Sequence, residues 1–264
     1  MSLNACVSCG GRVVSQAREA AVRHWARQLS RQARYPVIYR LLAGLSICAG
    51  CLETLPVIGD DICRHCGRDQ ESCEGNGELC QDCTQLHEEA LERNRSLLHY
   101  NDWGKSLLGL YKYRGDERLA SFYGTLLAVT FLRYYDPAQF TCITTVPLHG
   151  KRLYERGFNQ VDLLATELSR ASGVPVRSLL QRTKETAKLS KQRGRIARQE
   201  SMREAFSWAG DTVFPIAGAS SYGPSKILLV DDIYTTGSTL RSCATTLRAH
   251  LGPFYEIHSL TIYR

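Results

Sequence analysis

The chain has no apolar run of transmembrane length, and its opening residues, MSLNACVSCGG, lack the charge-then-apolar order of a signal peptide. Those absences predict a protein that is neither membrane-spanning nor secreted and that works in the cytoplasm. No GxxxxGK[ST] stretch occurs, so an ordinary P-loop nucleotide site is excluded. No internal repeat appears beyond pairs of cysteines. At 44% apolar and 22% charged, the composition also excludes a disordered or fibrous chain. The 264 residues suffice for one large domain, or a small one plus a medium one.

Cysteine is abundant, and unevenly so. Nine of 11 cysteines fall within the first 83 residues, and eight form CxxC pairs: Cys6/Cys9, Cys48/Cys51, Cys63/Cys66 and Cys80/Cys83. Two residues between thiols suit a metal knuckle better than a disulfide, and a reducing compartment favours the same reading. The spacing groups Cys6, Cys9, Cys48 and Cys51 as one four-thiolate site and Cys63, Cys66, Cys80 and Cys83 as another. Interleaved pairing or partial occupancy stays open for the first. Four thiolates leave no free coordination position, so zinc there is structural. Cys73, Cys142 and Cys243 read as ordinary thiols, and neither His65 nor His87 is needed as a ligand.

The net charge of +7 sits late in the chain: residues 1–100 hold 11 Lys/Arg against 12 Asp/Glu, and the basic excess follows them. Residues 1–92 read as metal-held loops enclosing a helix from Ser15 to Arg34. Its Arg23, Arg27, Arg31 and Arg34 share a face that reads as solvated sooner than as a nucleic-acid strip. From Ser96, strands and helices alternate: helices around Leu107–Tyr111 and Leu119–Tyr135, a strand at Phe140–Val146 and a helix closed by Gly173. A strand at Lys226–Val230, a helix from Ser238 and a last, alternating strand at Tyr255–Tyr263 complete the series. That order predicts an α/β domain over 96–264 with a parallel sheet, and ligands at the strands' C-terminal ends.

Two segments carry the chemistry. In Ile227-Leu-Leu-Val-Asp-Asp-Ile-Tyr-Thr-Thr-Gly-Ser-Thr239 an apolar strand leads into two acids, a hydroxyl-rich glycine loop and a helix. The loop around Gly237 and the helix N-terminus suit a phosphate, joined by Tyr234, Thr235, Thr236, Ser238 and Thr239. Asp231 and Asp232 are placed to accept hydrogen bonds from ribose hydroxyls. In the second segment, Val146 to Gln160, a loop after a strand carries Pro147, Leu148, Lys151, Arg152 and Arg156 and can receive a pyrophosphate leaving group. Residues 182–203 are strongly basic, with Lys188, Lys191, Arg193, Arg195 and Arg198 among them. A solvated face and a loop that closes over pyrophosphate or tracks a nucleic-acid backbone weigh equally there. Trp103, Tyr111, Tyr113 and Phe158 read as core sooner than as stacking platforms.

The run VDDIYTTGST resembles the phosphoribosyl pyrophosphate (PRPP) motif of type I phosphoribosyltransferases. Together with VPL-x-x-x-R-x-x-x-RGFNQ, LSKQRGR and the CxxC pairs, it makes nearly the whole chain similar to the ComF family. The resemblance implies a type I phosphoribosyltransferase-like domain bearing an N-terminal double zinc ribbon. It also implies Mg-PRPP as ligand, and a role in natural transformation on incoming single-stranded DNA with a partner in the uptake machinery. Asp231, Asp232, Lys151, Arg152 and Arg195 would be the candidates for a catalytic role. Nucleobase salvage and a non-catalytic DNA- or partner-binding module are the alternatives. The long stretch between Cys9 and Cys48 departs from the family's pattern.

Overall fold

A computed structural model describes residues 5–30, 32–70, 78–86, 90–114, 117–183, 205–210 and 225–264. Among the described residues, the α-helices of the cysteine-rich part are α1 (Ser15–Leu29), α2 (Tyr35–Gly44), α3 (Ala49–Glu53) and α4 (Gln81–Thr84). Strand β1 (Leu91–Leu98) follows, then α5 (Asp102–Arg114), α6 (Glu117–Tyr134), β2 (Phe140–Thr145), α7 (Gly150–Arg156) and α8 (Gln160–Ser172). The short strands β3 (Leu180–Arg182) and β4 (Phe206–Trp208) pair antiparallel. Strand β5 (Ser225–Ile233), α9 (Ser238–Leu251) and β6 (Tyr255–Tyr263) complete the fold. The main sheet has the order β1-β6-β5-β2, and every pairing is parallel. This is the mixed α/β architecture expected from the alternation of elements.

Side chains alternate across β5 and so sort into two cores. Leu228 and Val230 join Phe122, Leu126 and Phe131 of α6 and Leu164 of α8, with α1 and α2 behind them. Ile227 and Leu229 face Leu240, Ala244 and Leu247 of α9. One cysteine set enters each layer: Cys6 packs on the α6 side, and Cys63, Cys66, Cys80 and Cys83 pack on the α9 side. Among the described residues no helix is long and apolar enough to cross a membrane.

Three expectations need correction. The helix from Ser15 stops at Leu29, where Ser30 is extended, and a second helix begins at Tyr35. Pro36 starts that helix because its fixed φ and missing N–H suit a first turn. The last strand does not alternate but is buried on both faces, since it lies between β1 and β5. Lys151, Arg152 and Arg156 stand on the short helix α7, whose first turn is capped by the His149 ring accepting from the Lys151 N–H. Beyond those three, the polar run Leu-Glu-Arg-Asn-Arg-Ser-Leu-Leu forms β1, a strand for which no expectation was stated. Its Asn94 and Ser96 are satisfied internally: Asn94 Nδ2 donates to Ser96 Oγ at 3.0 Å, and Ser259 Oγ donates to Asn94 Oδ1 at 2.9 Å. The outer edge of β1 is covered in turn, with the Asn94 N–H donating to His65 O at 2.7 Å.

Candidate functional site

β2 and β5 are neighbours, and the Val146 N–H donates to Val230 O at 3.0 Å. That pairing brings both chemistry-bearing segments to one sheet edge, with Pro147 and Leu148 leaving beside Asp231 and Asp232. Burial, and then the charge of Asp232, raises the Asp231 carboxyl to about 7, while Lys112 pulls the other way. Asp232 is buried and pairs with Lys112 Nζ at 2.6 Å. Burial works against the charge on Lys112, but Asp232 outweighs it and raises the ammonium above its ordinary value.

Past the acids, Gly237 takes φ +75 and ends the loop at the first turn of α9. A Cβ there would fall on the Tyr234 hydroxyl and lie 2.8 Å from Arg241 Nη1, so only glycine fits. Thr236 Oγ1 and Ser238 Oγ are 2.9 Å apart, and Arg241 Nη2 donates to Thr236 O at 2.8 Å. Thr235 is exposed, and Thr239 lies in the first turn of α9.

On the facing segment, Gly157 in the left-handed region stops α7, and Asn159 caps α8 by accepting from the Val161 N–H. Arg156 Nη1 donates to Gln160 Oε1 at 2.9 Å, and Gln160 Nε2 reaches Lys112 O at 3.4 Å. The RGFNQ run thus builds two helix ends and ties them to α5. Arg152 on α7 acts on Arg182 of β3, whose guanidinium is lowered by burial and then by Arg152, with Asp231 opposing. Lys112 and Arg182 therefore act directly on the two carboxylates, while Arg156 acts on Lys112 and Arg152 on Arg182. Lys151 is exposed on α7.

Sequence reasoning missed Lys112 and Arg241 as part of the site, and it counted Arg182 only within the basic run. A lone lysine between Tyr111 and Tyr113 was the one available signal for Lys112. Arg195, Lys188, Lys191, Arg193 and Arg198, with Cys73 and His87, lie outside the described residues. Tyr111 and Phe158 are not open stacking platforms: Tyr111 is buried and donates to Gln160 O, and Phe158 is half-buried. Trp103 Nε1 donates to Ser8 Oγ at 2.8 Å.

The cysteines group as their spacing suggested. Within Cys6, Cys9, Cys48 and Cys51, and within Cys63, Cys66, Cys80 and Cys83, all sulfurs lie within 4.8 Å of one another. Two pairs are 3.7 Å (Cys9–Cys48) and 3.6 Å (Cys66–Cys80) apart. Zinc about 2.3 Å from four sulfurs in a tetrahedron would separate them by about 3.8 Å, so the geometry and the all-thiol donor set both fit zinc. Burial opposes ionisation of Cys6, but backbone N–H groups of Cys9, Cys48 and Ser8 bring its thiol down to about 7. In the second set, Gly67 at φ +69 closes the first knuckle, and the Cys80 N–H points at Cys63 Sγ at 3.4 Å. Cys142 and Cys243 are buried in the core.

A scan against protein-family models found no match. The chain is 31% identical to competence protein ComFC of Bacillus subtilis over 242 residues, covering 90% of this chain and 92% of the relative. It is 33% identical to competence protein ComFC of Streptococcus pneumoniae over 195 residues, covering 74% and 77%. Competence protein F of Haemophilus influenzae is 27% identical over 216 residues, covering 78% and 86%. With that identity running through both the cysteine-rich part and the sheet, the chain belongs to the ComF family of competence proteins.

Proposed function

We propose that this chain binds Mg-PRPP at the Asp231–Thr239 loop and acts on imported single-stranded DNA in natural transformation. The observation that carries the first half is the pairing, on one strand end, of two carboxylates with a glycine loop opening a 14-residue helix. Asp231 and Asp232 accept hydrogen bonds from the ribose hydroxyls. Loop N–H groups and the hydroxyls of Thr235, Thr236, Ser238 and Thr239 take the 5-phosphate. The Tyr234 hydroxyl lies against Gly237 and accepts from Arg241 Nη1 at 3.3 Å. The cations Lys151, Arg152 and Arg156 of α7, with Arg182, outnumber the two acids and suit the added negative charge of a pyrophosphate. Bound magnesium would neutralise that leaving group.

The competence role rests on the three relatives, which are competence proteins, and it calls for a cytoplasmic protein meeting DNA and the uptake machinery. Residues 1–92 act as the zinc-bearing part and 96–264 as the phosphoribosyl part. Within the basic run, Lys188, Lys191, Arg193, Arg195 and Arg198 supply the DNA backbone contacts, and Arg195 closes on the pyrophosphate. If pentosyl transfer occurs, an acceptor attacks the anomeric carbon, the bond to pyrophosphate breaks, and pyrophosphate leaves with the electron pair. The acceptor's proton passes to solvent. Catalysis would then come from positioning and from stabilising leaving-group charge.

Pyrophosphate release from Mg-PRPP, followed with nucleobases, ammonia and oligonucleotides as acceptors, tests this reading. Release that depends on oligonucleotide supports it. Release with free nucleobases alone would move the protein to salvage. Failure of PRPP to raise the thermal midpoint, with no release from any acceptor, would overturn the site.

A further inference from the structure

The second cysteine set and the phosphate loop lie on either side of a cavity of about 50 Å³ lined by Cys66, Cys83, Tyr234, Thr236, Arg241 and Arg264. Arg264 spans it. Its Nε donates to Cys66 O at 3.2 Å, and Nη2 donates to Cys66 Sγ at 3.2 Å. On the loop side Nη1 donates to Thr235 O at 3.0 Å and Tyr234 O at 3.4 Å, and the guanidinium carbon lies 4.8 Å from the centre of the Tyr234 ring. Its own backbone is fixed by the sheet, where the Arg264 N–H donates to Leu98 O at 2.9 Å. One rigid planar cation therefore holds a residue of the four-cysteine set and two successive loop carbonyls.

Holding those carbonyls decides where the loop's N–H groups point. In a planar trans peptide the C=O of one residue and the N–H of the next are antiparallel. None of the described peptides is cis. Arg264 fixes the carbonyls of Tyr234 and Thr235, and Arg241 fixes that of Thr236. The N–H groups of Thr235, Thr236 and Gly237 are thereby turned to the opposite side, as an anion-binding nest requires. We propose that Arg264 is a positioning residue through which the Cys63/Cys66/Cys80/Cys83 set fixes the shape of the phosphate-binding loop. The proposal rests on the reading of that loop as the ribose-phosphate site. It makes the metal-held knuckle part of the ligand site's support, as outer-shell partners of metal ligands often are for a metal.

Arg264→Lys keeps the charge and loses the planar fork that reaches both sides at once. The full chain, loaded with cadmium-113 in place of zinc, allows two readouts. Without ligand, R264K should shift the amide resonances of Thr235, Thr236 and Gly237 and leave those of Leu228–Val230 in place, which reports an intact sheet. With Mg-PRPP, the cadmium resonance of the second set should move in the wild type and stay still in R264K, with affinity at least tenfold weaker. The coupling is reciprocal, so each end must report the other. Unchanged loop resonances and unchanged affinity in R264K would overturn the proposal. Shifted loop resonances in R264K, in a protein whose wild type ignores Mg-PRPP, would keep Arg264's role and instead refute the ribose-phosphate reading.

Discussion

Asp231 carries a carboxyl raised to about 7 by burial and then by Asp232, while Asp232 commits one oxygen to Lys112 at 2.6 Å. The ionised form of Asp231 is the one that accepts from a ribose hydroxyl. Mg-PRPP affinity should therefore weaken about tenfold between pH 8 and pH 6, and Asp231→Asn should flatten that profile. A wild-type profile already flat would contradict the assignment. The same shift has a cost to folding. A carboxyl raised from 3.8 to about 7 favours the folded state below pH 4, and that contribution is lost as pH rises to 7. Asp231→Asn should accordingly raise stability at pH 8 by on the order of 2 kcal/mol and do nothing at pH 4. Denaturant unfolding at both pH values reads this directly. Lys112 opposes the rise at Asp231, so Lys112→Met should move the midpoint of the affinity profile to higher pH. An unmoved midpoint would remove Lys112 from the site.

Elements place these residues, and the loop before α9 is the least forgiving of them. Gly237→Ala should cost about 2 kcal/mol or more and abolish Mg-PRPP binding, because a side chain there meets Tyr234 and Arg241 at a positive φ. Thermal unfolding of that variant checks it, and a wild-type midpoint would show that the loop yields. This element was legible in the sequence, since an apolar run, two acids and a hydroxyl-rich glycine turn each have a local signature. So were α6, α8 and the cysteine sets. β1 was hidden because its buried Asn94, Arg95 and Ser96 are satisfied by distant partners such as Ser259 and the Arg64 carbonyl. α7 was hidden because seven residues are too few for a periodic pattern. Arg264 gave no signal at all, since its role depends on two segments brought together only by the fold.

At the scale of the molecule, each sheet face carries one four-cysteine set, and each set touches an element of the site. Cys6–Cys9 meets α5 through Ser8 and Trp103, and Cys66 meets the phosphate loop through Arg264. Elemental analysis should find two zinc ions per chain, and a strong chelator should lower the unfolding midpoint of the whole molecule. An unfolding curve unaltered by chelation would mean that the thiols pack without metal. For DNA, changing Lys188, Lys191, Arg193 and Arg195 to Ala should reduce the log–log slope of oligonucleotide affinity against salt by about 0.7 for each phosphate no longer neutralised. An identical slope before and after would return that run to a solvated face. The central claim is the phosphoribosyl site, and calorimetric titration of Mg-PRPP into the wild type and the Asp231→Asn, Asp232→Asn double variant tests it most directly. Saturable binding to the wild type, lost in a double variant that still unfolds cooperatively, is the predicted result. Equal binding to both, or none to either, would contradict it.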